Sequence, residues 1–154
     1  MTEPLPAPLA AAAHTVARRL GLNTDEVRPL RVHDAATLLL PAEHVVLRLV
    51  PESDEAVARA RRAVQLTGWL ATRDFPTIRP AADEPIETAG YVVTVWHEVP
   101  AHPHGTPVAV NTALGRLLRE LHTLPVPPVE LPTADPSRGC APRCAWTRPA
   151  PNRS

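Results

Sequence analysis

The sequence predicts an α+β domain: an antiparallel sheet of about five strands carrying one packed helix, with an N-terminal helix before it and another helix after a hinge. Three observations carry that reading. Short β-prone runs flank compact turn signals at Pro41-Ala42-Glu43-His44 and Ala89-Gly90. Residues 53 to 72 have the apolar spacing of a helix. A proline-rich break separates these elements from a leucine-rich amphipathic stretch.

In chain order, residues 8 to 20 combine strong helix formers with Arg18 and Arg19 in the last turn and Gly21 just past it, so an opening helix ends there. Val27 to Val32 and Thr37 to Leu40 are short β-prone runs, and the reversal at 41–44 leads into a strand from Val45 to Val50. Ser53 stands where it caps a helix with Asp54 and Glu55 in its first turn, running to Thr72. Val57, Ala60, Val64 and Ala71 share one face of that helix, with Leu66 and Leu70 beside it and Arg59 and Arg62 elsewhere. It is expected to pack on the core with a basic outer side. Asp74-Phe75-Pro76 ends it, and Ile86 to Thr88 pairs through Ala89-Gly90 with Tyr91 to Trp96. Three prolines and one glycine between Glu98 and Pro107 exclude a regular element and define the hinge. Beyond it Leu114, Leu117, Leu118 and Leu121 fall at helical spacing, closing near Leu124-Pro125.

From Val126 the character changes. Pro127, Pro128 and Pro132 exclude a helix, and residues 137 to 154 hold four Arg, two Cys and three Pro but no acid and no Leu, Val or Ile. Such a segment has nothing to bury, so a disordered tail is expected over 126–154. The shift after Asp135-Pro136 reads either as a frame change or premature stop in a longer reading frame, or as an ordinary basic tail.

Composition narrows the function classes. A chain of 154 residues with 44% hydrophobic content suits one core, and with only 3% aromatics that core must be aliphatic and alanine-rich. The net charge is zero, so no global field attracts nucleic acid or an anionic membrane. All 16 basic residues are Arg, which removes every lysine-based chemistry. The first residues lack the basic flank and apolar run of a secretory signal, and no window is long and apolar enough to span a bilayer, so a soluble cytoplasmic protein is expected. Cys140 and Cys144, and separately His102 and His104, lack the further ligands a metal site needs.

Three stretches add a resemblance. Val45-Val46-Leu47-Arg48-Leu49 looks like the strand that presents a phosphate-pairing cation. Trp69-Leu70-Ala71 followed by Phe75-Pro76-Thr77-Ile78-Arg79-Pro80, and then Leu114-Gly115-Arg116-Leu117-Leu118-Arg119-Glu120-Leu121-His122-Thr123-Leu124-Pro125, are similar to passages of the aminoglycoside phosphotransferase family, which has a protein-kinase-like fold. The resemblance implies a kinase-like small lobe over 1–97, a hinge at 98–107 and the first post-hinge helix at 108–125. It implies ATP with Mg2+ as the bound nucleotide and a small-molecule acceptor only where a large lobe is supplied.

By the same resemblance Arg48 would pair with phosphate oxygens, although it reads equally as an exposed strand arginine. His33, Asp34 and Ala35 would form the loop over the phosphates, without the glycine that close backbone approach favours. Backbone groups of Trp96, His97, Glu98 and Val99 would meet the adenine edge, with core packing as the other role for Trp96. The helical Glu that partners the strand cation has no match: Arg61 and Ala63 stand near its place, and Glu55 comes early, leaving Glu52 or Glu55 as substitutes.

The family's catalytic loop, His-Gly-Asp with a later Asn and a metal-binding Asp, is absent, since no histidine has Asp two positions on and His104-Gly105-Thr106 has Thr there. Beyond the hinge the acids are Glu120, Glu130 and Asp135. Two readings follow: a nucleotide-binding small lobe truncated before the catalytic loop and inactive alone, or a non-enzymatic fragment or interaction module. In either, the lobe face that a large lobe would cover is expected to favour self-association.

Overall fold

A computed structural model describes residues 5–100 and 105–131. The expectations for the tail, the two cysteines, His102 and His104 lie largely or wholly outside these residues. Helix α1 (Ala7–Leu20) precedes β1 (Arg28–Val32), β2 (Ala36–Leu40), a 3-10 turn (Pro41–Glu43) and β3 (Val45–Pro51). Helix α2 (Asp54–Ala71), β4 (Ile86–Thr88), β5 (Tyr91–His97) and α3 (Pro107–Thr123) follow. The strands form one antiparallel sheet in the order β1-β2-β3-β5-β4, giving the α+β class that the sequence predicts.

Local chemistry sets the element ends. Gly21 adopts φ 69°, and the Leu22 and Gly21 amides donate to the carbonyls of Ala17 (2.8 Å) and Arg18 (3.3 Å), closing α1 with its last carbonyls satisfied. Ser53 Oγ accepts from the Ala56 amide at 3.1 Å, and Asp54 and Glu55 lie at the positive end of α2. Ala89 (φ 51°) and Gly90 (φ 77°) make the two-residue mirror-image turn whose twist matches the β4–β5 hairpin. At one sheet margin, β1 carries Pro29, which has no amide hydrogen, and its register with β2 shifts between Pro29 and Arg31.

The β3–β5 ladder runs from Val45 opposite His97 to Pro51 opposite Tyr91. Strand alternation sends Val45, Leu47, Leu49, Val93 and Val95 to one face, where they are buried with Leu38 and Leu40. That face packs on α1 through Leu9, Ala12, Ala13, Val16 and Ala17, a helical stripe at most 7% exposed. The alanines let the helix lie close to the sheet.

Core placement refines the sequence reading, because α1 supplies more of the buried cluster than α2 does. The 53–72 helix was expected to carry the packed face, yet only Val64 and Leu70 of α2 are buried, while Val57, Ala60 and Leu66 are half-buried. On the sheet face beneath it, Arg48 takes a central position and is exposed, beside buried Val92, Thr94 and Trp96. Helix α3 begins at Pro107, with Thr106 Oγ1 accepting from the Ala109 amide at 3.3 Å, and has no buried residue. None of the described helices is long and apolar enough to cross a membrane.

Unequal packing of the two helices predicts unequal mutational costs. Leu38→Ala, on the α1 side, should cost about 2–5 kcal/mol of unfolding free energy in urea titrations. Val57→Ala, on half-buried α2, should cost roughly 1 kcal/mol or less.

Candidate functional site

On the face away from α1, a cavity of about 230 Å³ opens between β3, β5 and α2. Its sheet wall is Arg48 and Val50 from β3 with Val92, Thr94 and Trp96 from β5. Arg48 lies opposite Thr94 in the ladder and is exposed. Trp96 is 8% exposed, and its Nε1–H donates to Thr94 Oγ1 at 2.9 Å, so the indole is fixed as part of the groove wall. Trp96 therefore packs and lines the cavity at once.

Ser53, Glu55, Arg59 and Ala63 line the helical wall. The four-residue spacing of Glu55, Arg59 and Ala63 places them on one side of α2, with Ser53 at its cap. Ala63, one of the two residues near the position where a partner for Arg48 is expected, brings no charge into the groove. Arg61, the other, bonds to Glu87 of β4 at 3.4 Å. Glu55 reaches the groove despite its early position, but its carboxylate pairs with Arg59 one turn on. Among the described residues Arg48 has no ion-pair partner. Glu52 likewise forms no pair with it, and its amide donates to the Gly90 carbonyl at 2.9 Å.

The other predicted residues divide between the two ends of the strands. His33, Asp34 and Ala35 form the β1–β2 turn, held by a 3.2 Å bond from the His33 amide to the Ala35 carbonyl, and do not line the groove. Their neighbour Ala36 lies opposite Leu49, one residue past Arg48, so the turn sits toward the Pro51 end of β3. His97 lies opposite Val45, about 10 Å away by strand rise over three residues.

Here the chain is fastened from two sides. The His97 amide donates to the Arg79 carbonyl at 2.9 Å and the Glu98 amide to the His44 carbonyl at 2.7 Å. Glu98 Oε2 also meets His44 Nδ1 at 3.0 Å. The amides of His97 and Glu98 are thus engaged, whereas that of Val99 makes no backbone hydrogen bond among the described residues.

Two guanidinium groups and one carboxylate line the groove. That balance suits an anionic ligand. Among the described residues no group of three or more His, Cys, Asp or Glu is placed to hold a metal. Sequence reasoning singled out Arg48 and Trp96, took Arg59 with Arg61 and Arg62 as a solvated helix face that could otherwise bind phosphate or a partner, and missed Thr94 and His44. The five-residue alternation Val92, Thr94, Trp96 was a visible signal for Thr94, and the four-residue Glu55-to-Arg59 step was one for their pairing.

The comparisons with known proteins bear on what such a groove belongs to. The model of the phosphotransferase enzyme family (APH) matches residues 11–150, which takes in α1 after its first turn, the whole sheet, α2, α3 and most of the segment after them. No curated protein and no solved structure matched the chain.

The Trp96–Thr94 bond gives a direct check on the groove wall. Thr94→Val preserves shape but strands a buried indole N–H, and should cost about 1–3 kcal/mol in chemical denaturation. A loss near zero would mean that the indole finds another acceptor.

Proposed function

The chain belongs to the phosphotransferase enzyme family, and from that premise we propose that it forms the ATP-binding small lobe of a small-molecule kinase of the aminoglycoside phosphotransferase type. The single observation that supports this most is Arg48: a guanidinium without an ion-pair partner among the described residues, set in a groove walled by Trp96. In this reading the phosphates lie at Arg48 with the 33–35 turn nearby, and the base lies along Trp96 to Val99. The Val99 amide supplies the hydrogen-bond donor, because those of His97 and Glu98 are already engaged. Guanidinium gives two parallel N–H bonds to phosphate oxygens, which substitutes geometry for the compact charge of a lysine. Mg2+ arrives on the nucleotide.

Transfer itself needs groups this sequence does not contain. It has no histidine followed two positions on by Asp, so a base and metal-binding carboxylates of the family pattern must come from a large lobe. With such a lobe present, the acceptor is a small molecule whose identity the lobe decides. Alone, the chain binds nucleotide without turning it over, and a cytoplasmic setting supplies the ATP.

A second reading, an interaction module without nucleotide, draws on α3. Val110, Leu114, Leu118 and Leu121 lie along that helix and are 38–52% exposed. A second copy or another polypeptide covering this face would bury them.

Thermal unfolding with and without Mg-ATP separates the two. At a hundredfold excess over Kd, binding stabilises by about 2.7 kcal/mol, enough to raise Tm by several degrees, and the shift should vanish in Arg48→Ala. No shift in the parent protein, together with a mass that rises with concentration, would favour the interaction module instead.

A further inference from the structure

We infer that Arg59 is a second phosphate-binding cation of the groove, and that Glu55 competes with the incoming anion for it. The inference rests on the reading that this groove receives the phosphates, and deepens it by adding a residue and a form of control. Arg48 and Arg59 line one cavity from opposite walls, one on β3 and the other on α2. A volume of about 230 Å³ suits a phosphate chain and is too small for an entire nucleoside triphosphate, so the base must lie outside it. A linear polyphosphate carries charge along its length and can meet both guanidinium groups at once.

Glu55 pairs with Arg59, while Arg48 has no ion-pair partner among the described residues. The side chains of that pair are 80% and 68% exposed, and exposed pairs of this one-turn kind are weak, so a multivalent anion can displace the carboxylate. Glu55 stays beside the ligand and repels it. The pair thus lowers affinity for small, singly charged anions, which cannot offset the lost ion pair, more than for a chain that engages both arginines.

Calorimetric titration of the full chain with inorganic tripolyphosphate, without Mg2+, tests this directly. Arg59→Ala should weaken binding about tenfold, and Glu55→Gln should tighten it about two- to threefold. Arg62→Ala, which removes the same charge from the same helix outside the groove, should change it less than about twofold. Circular dichroism identical to the parent confirms that each variant is folded. Unchanged binding in Arg59→Ala, or an equal loss in Arg62→Ala, would overturn the inference. So would weaker binding in Glu55→Gln, which would make the carboxylate a support for Arg48. If Arg48→Ala still abolishes the Mg-ATP shift in any of these cases, the nucleotide reading stands without it; if neither tripolyphosphate nor Mg-ATP binds the parent, both fall.

Discussion

The β3–β5 ladder is the constraint from which the rest of the molecule follows. Seven residue pairs in register, Val45 with His97 through Pro51 with Tyr91, fix which side chains of both central strands share a face. A slip of one residue would turn Leu47 and Leu49 toward α2 and bring Arg48 against the alanines of α1. A charge without a partner would then be buried, so the apolar pattern and the position of one arginine specify the same register. The core and the groove are two sides of one pairing.

Much of the fold was legible in the chain. The end of α1 could be read because glycine takes the left-handed conformation its closing turn requires, and the β4–β5 turn because Ala89-Gly90 precedes an apolar run. Ser53 could be read as a helix start for an equally local reason, a side-chain oxygen within reach of an early amide, whereas Thr106, which caps α3 in the same way, was placed in the hinge. What could not be read was which helix carries the core. Ala12, Ala13 and Ala17 look like filler in a sequence, because burial depends on how near the sheet comes and not on side-chain hydrophobicity alone. The leucines of α2 suggested a better core helix than they make.

The candidate site divides along the same line. Arg48 was legible from its strand and from the family resemblance, whereas the fastening of the segment after β5 was not. Arg79, His44 and Glu98 are far apart in sequence and meet only because the 79–81 stretch and the β2–β3 turn both converge on the end of β5. Glu55 illustrates a subtler limit. Counting along the chain placed it early and left it only as a substitute partner for Arg48, but α2 runs beside the sheet so that its first turn borders the same cavity as Arg48. The sequence could show that an acid is missing from the helix middle; only the path of the helix shows what stands in the groove instead.

Sheet margins have a consequence of another kind. A free strand margin is a template on which further copies can add by backbone pairing, the route to ordered aggregates. Here β4, at one margin, has three residues, and β1, at the other, is interrupted by Pro29 and the shifted register beside it and carries Arg31, while Arg28 pairs with Glu26. Both margins are therefore poor templates for strand addition. A chain with so few aromatic residues and no lysine thus discourages strand addition through a missing amide hydrogen and an arginine on its outermost strand.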